Sequence, residues 1–169
     1  MTGDLRRWKP WIPRELSKER LPLIVGDDRT CEALMRRTLT ELDTSWGAVS
    51  FATAREALRF IDNAGTRIEI GLVDIGLPDI TGIEVIRKLH ARFSDFPFIM
   101  VVSVIATERY VLAAICAGTH GYLLKDDSTT IIAEALRQSL GVITRSARHP
   151  RAIFSSWPAL ATGLTTFRS

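Results

Sequence analysis

The sequence predicts an α/β protein: a doubly wound, five-stranded parallel sheet in the order 2-1-3-4-5, flanked by five helices. Three observations predict it. Short apolar runs recur at 21–26, 47–52, 68–73, 98–102 and 121–124, each bounded by Gly, Pro or polar residues. Runs of that length and composition read as buried strands. Between them lie stretches with apolar residues at helical spacing, and strands alternating with helices build a parallel sheet covered on both faces. Finally, the junctions after four of these runs carry reactive groups: Asp27 with Asp28, Asp74, Ser103 and Lys125. The carboxyl ends of parallel strands are where open α/β sheets hold ligands, and in this order the crevice falls beside strands 1 and 3.

Taken in order, residues 1–20 contain two prolines and no sustained periodicity, and read as an N-terminal extension. The run Leu21–Gly26 opens a regular pattern that extends to about 141. Cys31, Leu34, Met35, Thr38, Leu39 and Leu42 then share a helical face. After the second run, Thr53-x-x-Glu56 has the spacing of a capping box, with Ala57, Leu58 and Ile61 turned inward. The third run ends in Asp74, and Thr81-Gly82-Ile83-Glu84 repeats the capping spacing before Ile83, Ile86, Leu89 and Phe93. A fourth helix runs from about Thr107 to Cys116 and stops at Gly118, a residue suited to a left-handed helix end. Ser128 caps a last helix, from about Thr129 to Leu140. Beyond Gly141 the periodicity fails. Residues 142–169 either continue that helix for a turn, pack as an irregular tail or stay disordered.

Composition narrows the function. Apolar residues make up 46% of the 169, enough for a sizeable core, and charged residues 24%. The net charge of +3 is unevenly spread: +3 in residues 1–20, +4 in 145–169 and −4 between them. An acidic middle with basic ends is not the profile of a nucleic-acid-binding domain, and the basic ends read as solvated tails. Cys31 and Cys116 lie in apolar helical patterns and read as buried, reduced thiols. No stretch is apolar enough to span a bilayer and the N-terminus lacks a signal-peptide core, so a cytoplasmic location is expected. Gly-x-Gly-x-x-Gly and Gly-Lys-Ser/Thr loops are both missing, which counts against nucleotide binding.

The strand-end residues carry the chemistry. Asp27, Asp28 and Asp74 repel one another unless a cation neutralises them, and a few oxygen ligands suit Mg²⁺, which keeps waters and shares phosphoryl oxygens. An ammonium from Lys125 and a hydroxyl from Ser103 would then balance and bond a phosphoryl group. Alone, Asp27-Asp28 would read as an acidic pair at a helix start. His90 and His120 have no partners at metal-ligand spacing and read as surface or packing residues. Trp8, Trp11 and Trp157 lie outside the core pattern and read either as tail residues that dock on the domain or form a homodimer contact, or as part of disordered tails.

Four stretches in order, with their spacing kept, resemble the receiver domain of bacterial two-component response regulators over about residues 21–141. They are Leu23-Ile24-Val25-Gly26-Asp27-Asp28, Leu72-Val73-Asp74-Ile75-Gly76-Leu77-Pro78, Val101-Val102-Ser103 and the segment from Ala117 to Asp126. The last is similar to the form found in regulators with a LuxR-type DNA-binding output. The resemblance implies a flavodoxin-like fold and a phosphorylation-controlled switch. Asp74 would be the phosphoacceptor, taking a phosphoryl group from a sensor histidine kinase or phosphotransfer protein. Asp28, Asp74 and the Gly76 backbone carbonyl would bind Mg²⁺, with Asp27 acting through water. Lys125 would pair with the phosphoryl group, Ser103 would swing toward it and Tyr122 would rotate inward.

Two features depart from the family's pattern. Gly76 and Ile105, at positions that resemble those tuning phosphoryl lifetime, cannot orient a hydrolytic water, which predicts slow loss of phosphate. Asp126 stands where other subgroups carry Pro, leaving the isomer of that bond open. Two other functions compete with the receiver reading. A Mg²⁺-dependent phosphohydrolase of the haloacid-dehalogenase type would want an acid at Gly76. Direct DNA binding would need a helix-turn-helix of roughly 60 residues, which the 28 after the last helix do not supply; the output of a LuxR-type regulator would then be lost or truncated.

Overall fold

Aliphatic and β-branched runs too short for helices form the strands, and amphipathic stretches between them form the helices that bury both faces. The computed structural model describes residues 21–42, 44, 46–65, 67–93, 97–145 and 153–154. The extension 1–20 and Trp8, Trp11 and Trp157 lie outside the described residues. In chain order the elements are β1 (Leu21–Val25), α1 (Arg29–Leu42), β2 (Val49–Phe51), α2 (Ala54–Asn63), β3 (Ile68–Val73) and α3 (Gly82–Arg92). Then follow β4 (Phe98–Ser103), α4 (Glu108–Ala117), β5 (Gly121–Leu124), α5 (Thr129–Arg145) and β6 (Ile153–Phe154).

The first five strands stand in the expected order 2-1-3-4-5, and every pairing is parallel. A sixth strand, β6, pairs in parallel with β5, Gly121 opposite Ile153 and Tyr122 opposite Phe154. Sequence reasoning gave the tail no strand, because two residues carry no period to detect. Of the alternatives for the start of the tail, continuation of the last helix by about a turn is the one observed: α5 runs through Gly141 to Arg145. A single interior Gly costs a helix only about 1 kcal/mol relative to Ala, too little to end one that is otherwise supported.

Residue alternation divides the core into two layers. Leu23, Val25, Val73, Ile99 and Val101 face one side and pack with Ile61, Ile86, Leu89 and Val111 from α2, α3 and α4. Ile24, Leu72, Met100, Val102 and Leu123 face the other and pack with Met35, Leu39, Ile132 and Leu136 from α1 and α5. Burying each such aliphatic side chain contributes about 1.5–3 kcal/mol, so the two layers dominate stability. Pro22 lacks an N–H inside β1, and the register slips there: Leu21 faces Ile68 but Pro22 faces Ile70.

Helix ends are less regular than the sequence suggests. Thr53 accepts the Glu56 N–H (3.3 Å) and donates its hydroxyl to the Glu56 carboxylate (2.8 Å), a capping pair closed side chain to side chain. The second box does not close. Thr81 accepts from Ile83 N (3.4 Å), while the Glu84 carboxylate turns to Arg87 (2.7 Å). Gly118 ends α4 with φ of 103°, donating to Ile115 O (3.0 Å) while Thr119 donates to Ala114 O (3.1 Å), which closes a Schellman motif. Cys31 is buried as expected, but Cys116 is exposed, because α4 buries the face of Val111 and Ala114 and Cys116 lies on the other.

A polar cluster closes the amino-terminal edge of the sheet. The buried Thr119 hydroxyl bonds Ile99 O (3.0 Å) and Gly121 O (2.9 Å). His120 Nδ1 accepts the Ile99 N–H (3.1 Å), and His90 Nε2 bonds Gly118 O (2.8 Å). Both histidines are therefore packing residues, as their lack of ligand spacing suggested.

Candidate functional site

Strand register brings the reactive residues to one edge. Val25 lies opposite Val73, Val73 opposite Val101 and Ser103 opposite Leu124, so the residues that follow emerge side by side. Backbone bonds extend this alignment beyond the strands: Asp74 N to Val25 O (2.8 Å) and Lys125 N to Ser103 O (3.0 Å).

Asp74 is the centre, and its side chain is 5% exposed. Its Oδ1 accepts the Ser103 hydroxyl (2.7 Å) and the Gly76 N–H (2.9 Å). Its Oδ2 accepts from Lys125 Nζ (2.6 Å). The same ammonium lies 3.7 Å from Asp28 Oδ2, so two carboxylates face one cation. Burial works against the charge on Lys125, but the bond to Asp74 and the negative charges of Asp74 and Asp28 together outweigh it and lift its pKa above the ordinary value.

Asp28 serves two elements. Its Oδ1 caps α1 through the N–H groups of Thr30 (2.9 Å) and Cys31 (3.1 Å), while Oδ2 turns toward Lys125. The Cys31 N–H, with help from Lys125, holds its pKa below the usual carboxylate value. The helix-start reading therefore holds for Asp28, while its second oxygen is left facing Lys125. Asp27 is exposed beside it.

Ser103 and Tyr122 both face the site. Ser103 already bonds Asp74, and Tyr122 is already inward, 5% exposed, donating to Ile105 O. Burial, reinforced by the charge of Asp74, pushes the Tyr122 phenol up to about 12. Gly76 and Ile105 adjoin across the site: a Cβ on Gly76 would stand 3.3 Å from the Ile105 side chain. All described peptide bonds are trans, Lys125–Asp126 included.

Gly82 is required by closeness to Asp74. A Cβ there would lie 1.9 Å from the Asp74 carbonyl oxygen, against backbone that cannot yield. Sequence reasoning missed Asp79. Its carboxylate reaches back to the start of α2, accepting from Ala54 N (3.0 Å) and Arg55 N (2.9 Å). A partner about two dozen residues away leaves no local pattern to read.

The donors fit a hard cation. They are oxygens only, and the Lys125 ammonium already marks a point where Asp28 and Asp74 converge. Among the described residues no three His, Cys, Asp or Glu side chains are grouped to hold a metal as they stand.

Comparison with known proteins decides the family. The response regulator receiver domain model matches residues 23–137. The chain belongs to the response regulator receiver family. A chemotaxis protein CheY homolog of Campylobacter jejuni is 26% identical over 123 residues, 70% of this receiver and 91% of that protein. The CheY-like receiver domain of Methanospirillum hungatei superposes with a TM-score of 0.62 at 25% identity, over 75% of this chain and 97% of its own. A two-component response regulator of the LuxR family from Aurantimonas superposes with a TM-score of 0.62 at 24% identity, over 86% and 94%. The receiver is thus a phosphorylation-controlled signalling domain of two-component systems with a flavodoxin-like fold. No described helix is long and apolar enough to cross a membrane.

Proposed function

We infer that Asp74 is the phosphoacceptor of this receiver and that the site works as a switch rather than as a turnover enzyme. The observation that carries this is the Asp74 carboxylate, buried at a strand end with Ser103 on one oxygen and Lys125 on the other. In the transfer, an Asp74 oxygen forms a bond to phosphorus while the P–N bond of a partner's phosphohistidine breaks, its electron pair returning to the imidazole. Lys125 is the cation that a new phosphoryl oxygen would claim, and Ser103 donates to the same group. Asp28, Asp74 and the Gly76 carbonyl would hold Mg²⁺, with Asp27 through water; when bound, the ion neutralises charge developing on the phosphoryl oxygens. Gly76 and Ile105, both apolar and adjoining, leave no side chain to orient a hydrolytic water, so phosphate is lost slowly.

The partners that fit are a sensor histidine kinase or phosphotransfer protein on the input side and a protein contact on the output side. Incubation with Mg²⁺ and a small phosphodonor should add one phosphoryl mass to wild type and none to Asp74→Asn. The group should also outlast that on an Ile105→Glu variant. Wild type without a mass gain would remove the phosphoacceptor assignment, and faster loss than in Ile105→Glu would remove the lifetime assignment. Size-exclusion profiles of the same samples report whether phosphorylation drives self-association.

A further inference from the structure

The segment between β3 and α3 carries the Gly76 carbonyl and has no secondary structure of its own. Both of its ends are fixed on Asp74. Gly76 N bonds the Asp74 carboxylate at one end; at the other, Gly82 N bonds Ile75 O (3.1 Å) with its Cα pressed against the Asp74 carbonyl. The far side of the loop is held differently. Leu77 and Ile80 pack on the core, which fixes depth but not orientation. The directional contact is Asp79, whose two carboxylate oxygens take the first two N–H groups of α2. Thr53 takes the third, at Glu56, and the fourth N–H, at Ala57, bonds Thr53 O (3.3 Å).

Thr53 already provides the local side-chain cap of this helix start, at the Glu56 N–H. A second acceptor, drawn from a distant loop, ties that loop to the helix at the same time as it satisfies the Ala54 and Arg55 N–H groups. The helix end offers paired donors and a positive dipole to a carboxylate, which fits a fixed anchor. Burial works against the charge on Asp79, but the N–H groups of Arg55, Ile80, Ala54 and Asp79 itself together hold its carboxyl below the usual value.

We propose that Asp79 is a positioning residue: by anchoring the β3–α3 loop to the start of α2, it holds the Gly76 carbonyl where the metal of the phosphorylation site needs it. The inference rests on the receiver reading given above. The test is Mg²⁺ binding to the full chain by calorimetry, together with the rate of phosphorylation at saturating Mg²⁺. Asp79→Ala should weaken Mg²⁺ binding about tenfold, the lower end of the loss seen when an outer partner of a metal ligand is removed. Its rate at saturating Mg²⁺ should stay within about twofold of wild type, since the reacting atoms are untouched. Thr53→Ala removes the other α2 cap and should lower Tm while leaving Mg²⁺ affinity unchanged.

Asp79→Asn keeps one acceptor oxygen and should fall between wild type and Asp79→Ala; if Asp79→Ala fails to fold, this variant carries the comparison. Unchanged Mg²⁺ affinity in the folded Asp79 variants would overturn the inference and leave the receiver reading intact. So would an equal loss in Thr53→Ala, because Asp79 would then be a helix cap only. Wild type that binds no Mg²⁺ or takes no phosphoryl group would overturn both together.

Discussion

The two edges of the sheet hold polar clusters of similar burial and different bonding. At the amino-terminal edge, Thr119, His120 and His90 bond backbone groups of Ile99, Gly121 and Gly118. At the carboxyl edge, Asp74 bonds chiefly to other side chains, Ser103 and Lys125, and Lys125 reaches on to Asp28. A side chain tied to backbone has nothing to hand over, since the backbone cannot move away. A side chain tied to another side chain can exchange that partner for a ligand. Fixity and exchange are thus built from similar residues at opposite ends of the same strands.

The largest expected effect is at Lys125. Breaking a buried pair by removing one partner costs about 3–5 kcal/mol, and Lys125→Ala should lie near the lower bound because Asp28 and solvent are close. Denaturant unfolding in a chelator should show this loss, and Mg²⁺ should restore part of it by neutralising Asp74. A loss independent of Mg²⁺ would break the comparison, for it would make the carboxyl edge as fixed as the other. Thr119→Val should come next, at about 1–3 kcal/mol, because the buried hydroxyl shared between the Ile99 and Gly121 carbonyls is lost, Ile99 O keeping only the His120 N–H (2.7 Å). Its phosphorylation rate should match wild type; a slower rate would tie the static edge to function.

Tyr122 gives the smallest effect and tests the border between the two modes, since it stands at the carboxyl edge but bonds a backbone carbonyl. Its folded pKa, about 12, lies above the ordinary value of 10.0. Folding therefore favours the protonated phenol, and the resulting stability is complete below pH 10 and lost as pH rises toward 12. Tyr122→Phe should remove that component, so its unfolding free energy should fall less steeply over this range. Equal slopes would mean that the phenol is not sealed in the fold.

Much of this was legible in the sequence because it is written in periods and junctions. Five apolar runs with helical stretches between them gave the strand order, and the residues just past four of those runs gave Asp27, Asp28, Asp74, Ser103 and Lys125. What escaped was long-range or too short for a period. Asp79 answers the start of α2 from another loop, β6 spans two residues, and Glu84 chose Arg87 over its own helix cap. Cys116 was misplaced because α4 is apolar on more than the face it buries.

The sixth strand changes what the sheet offers to other chains. In a five-stranded sheet, the outer edge of β5 would present unpaired N–H and C=O groups, a template for strand addition. Here Ile153 and Phe154 already sit against Gly121 and Tyr122. An incoming strand would have to displace β6 from that stretch of β5. The first half of β5, Gly121 and Tyr122, is thus closed to strand addition unless β6 first leaves it.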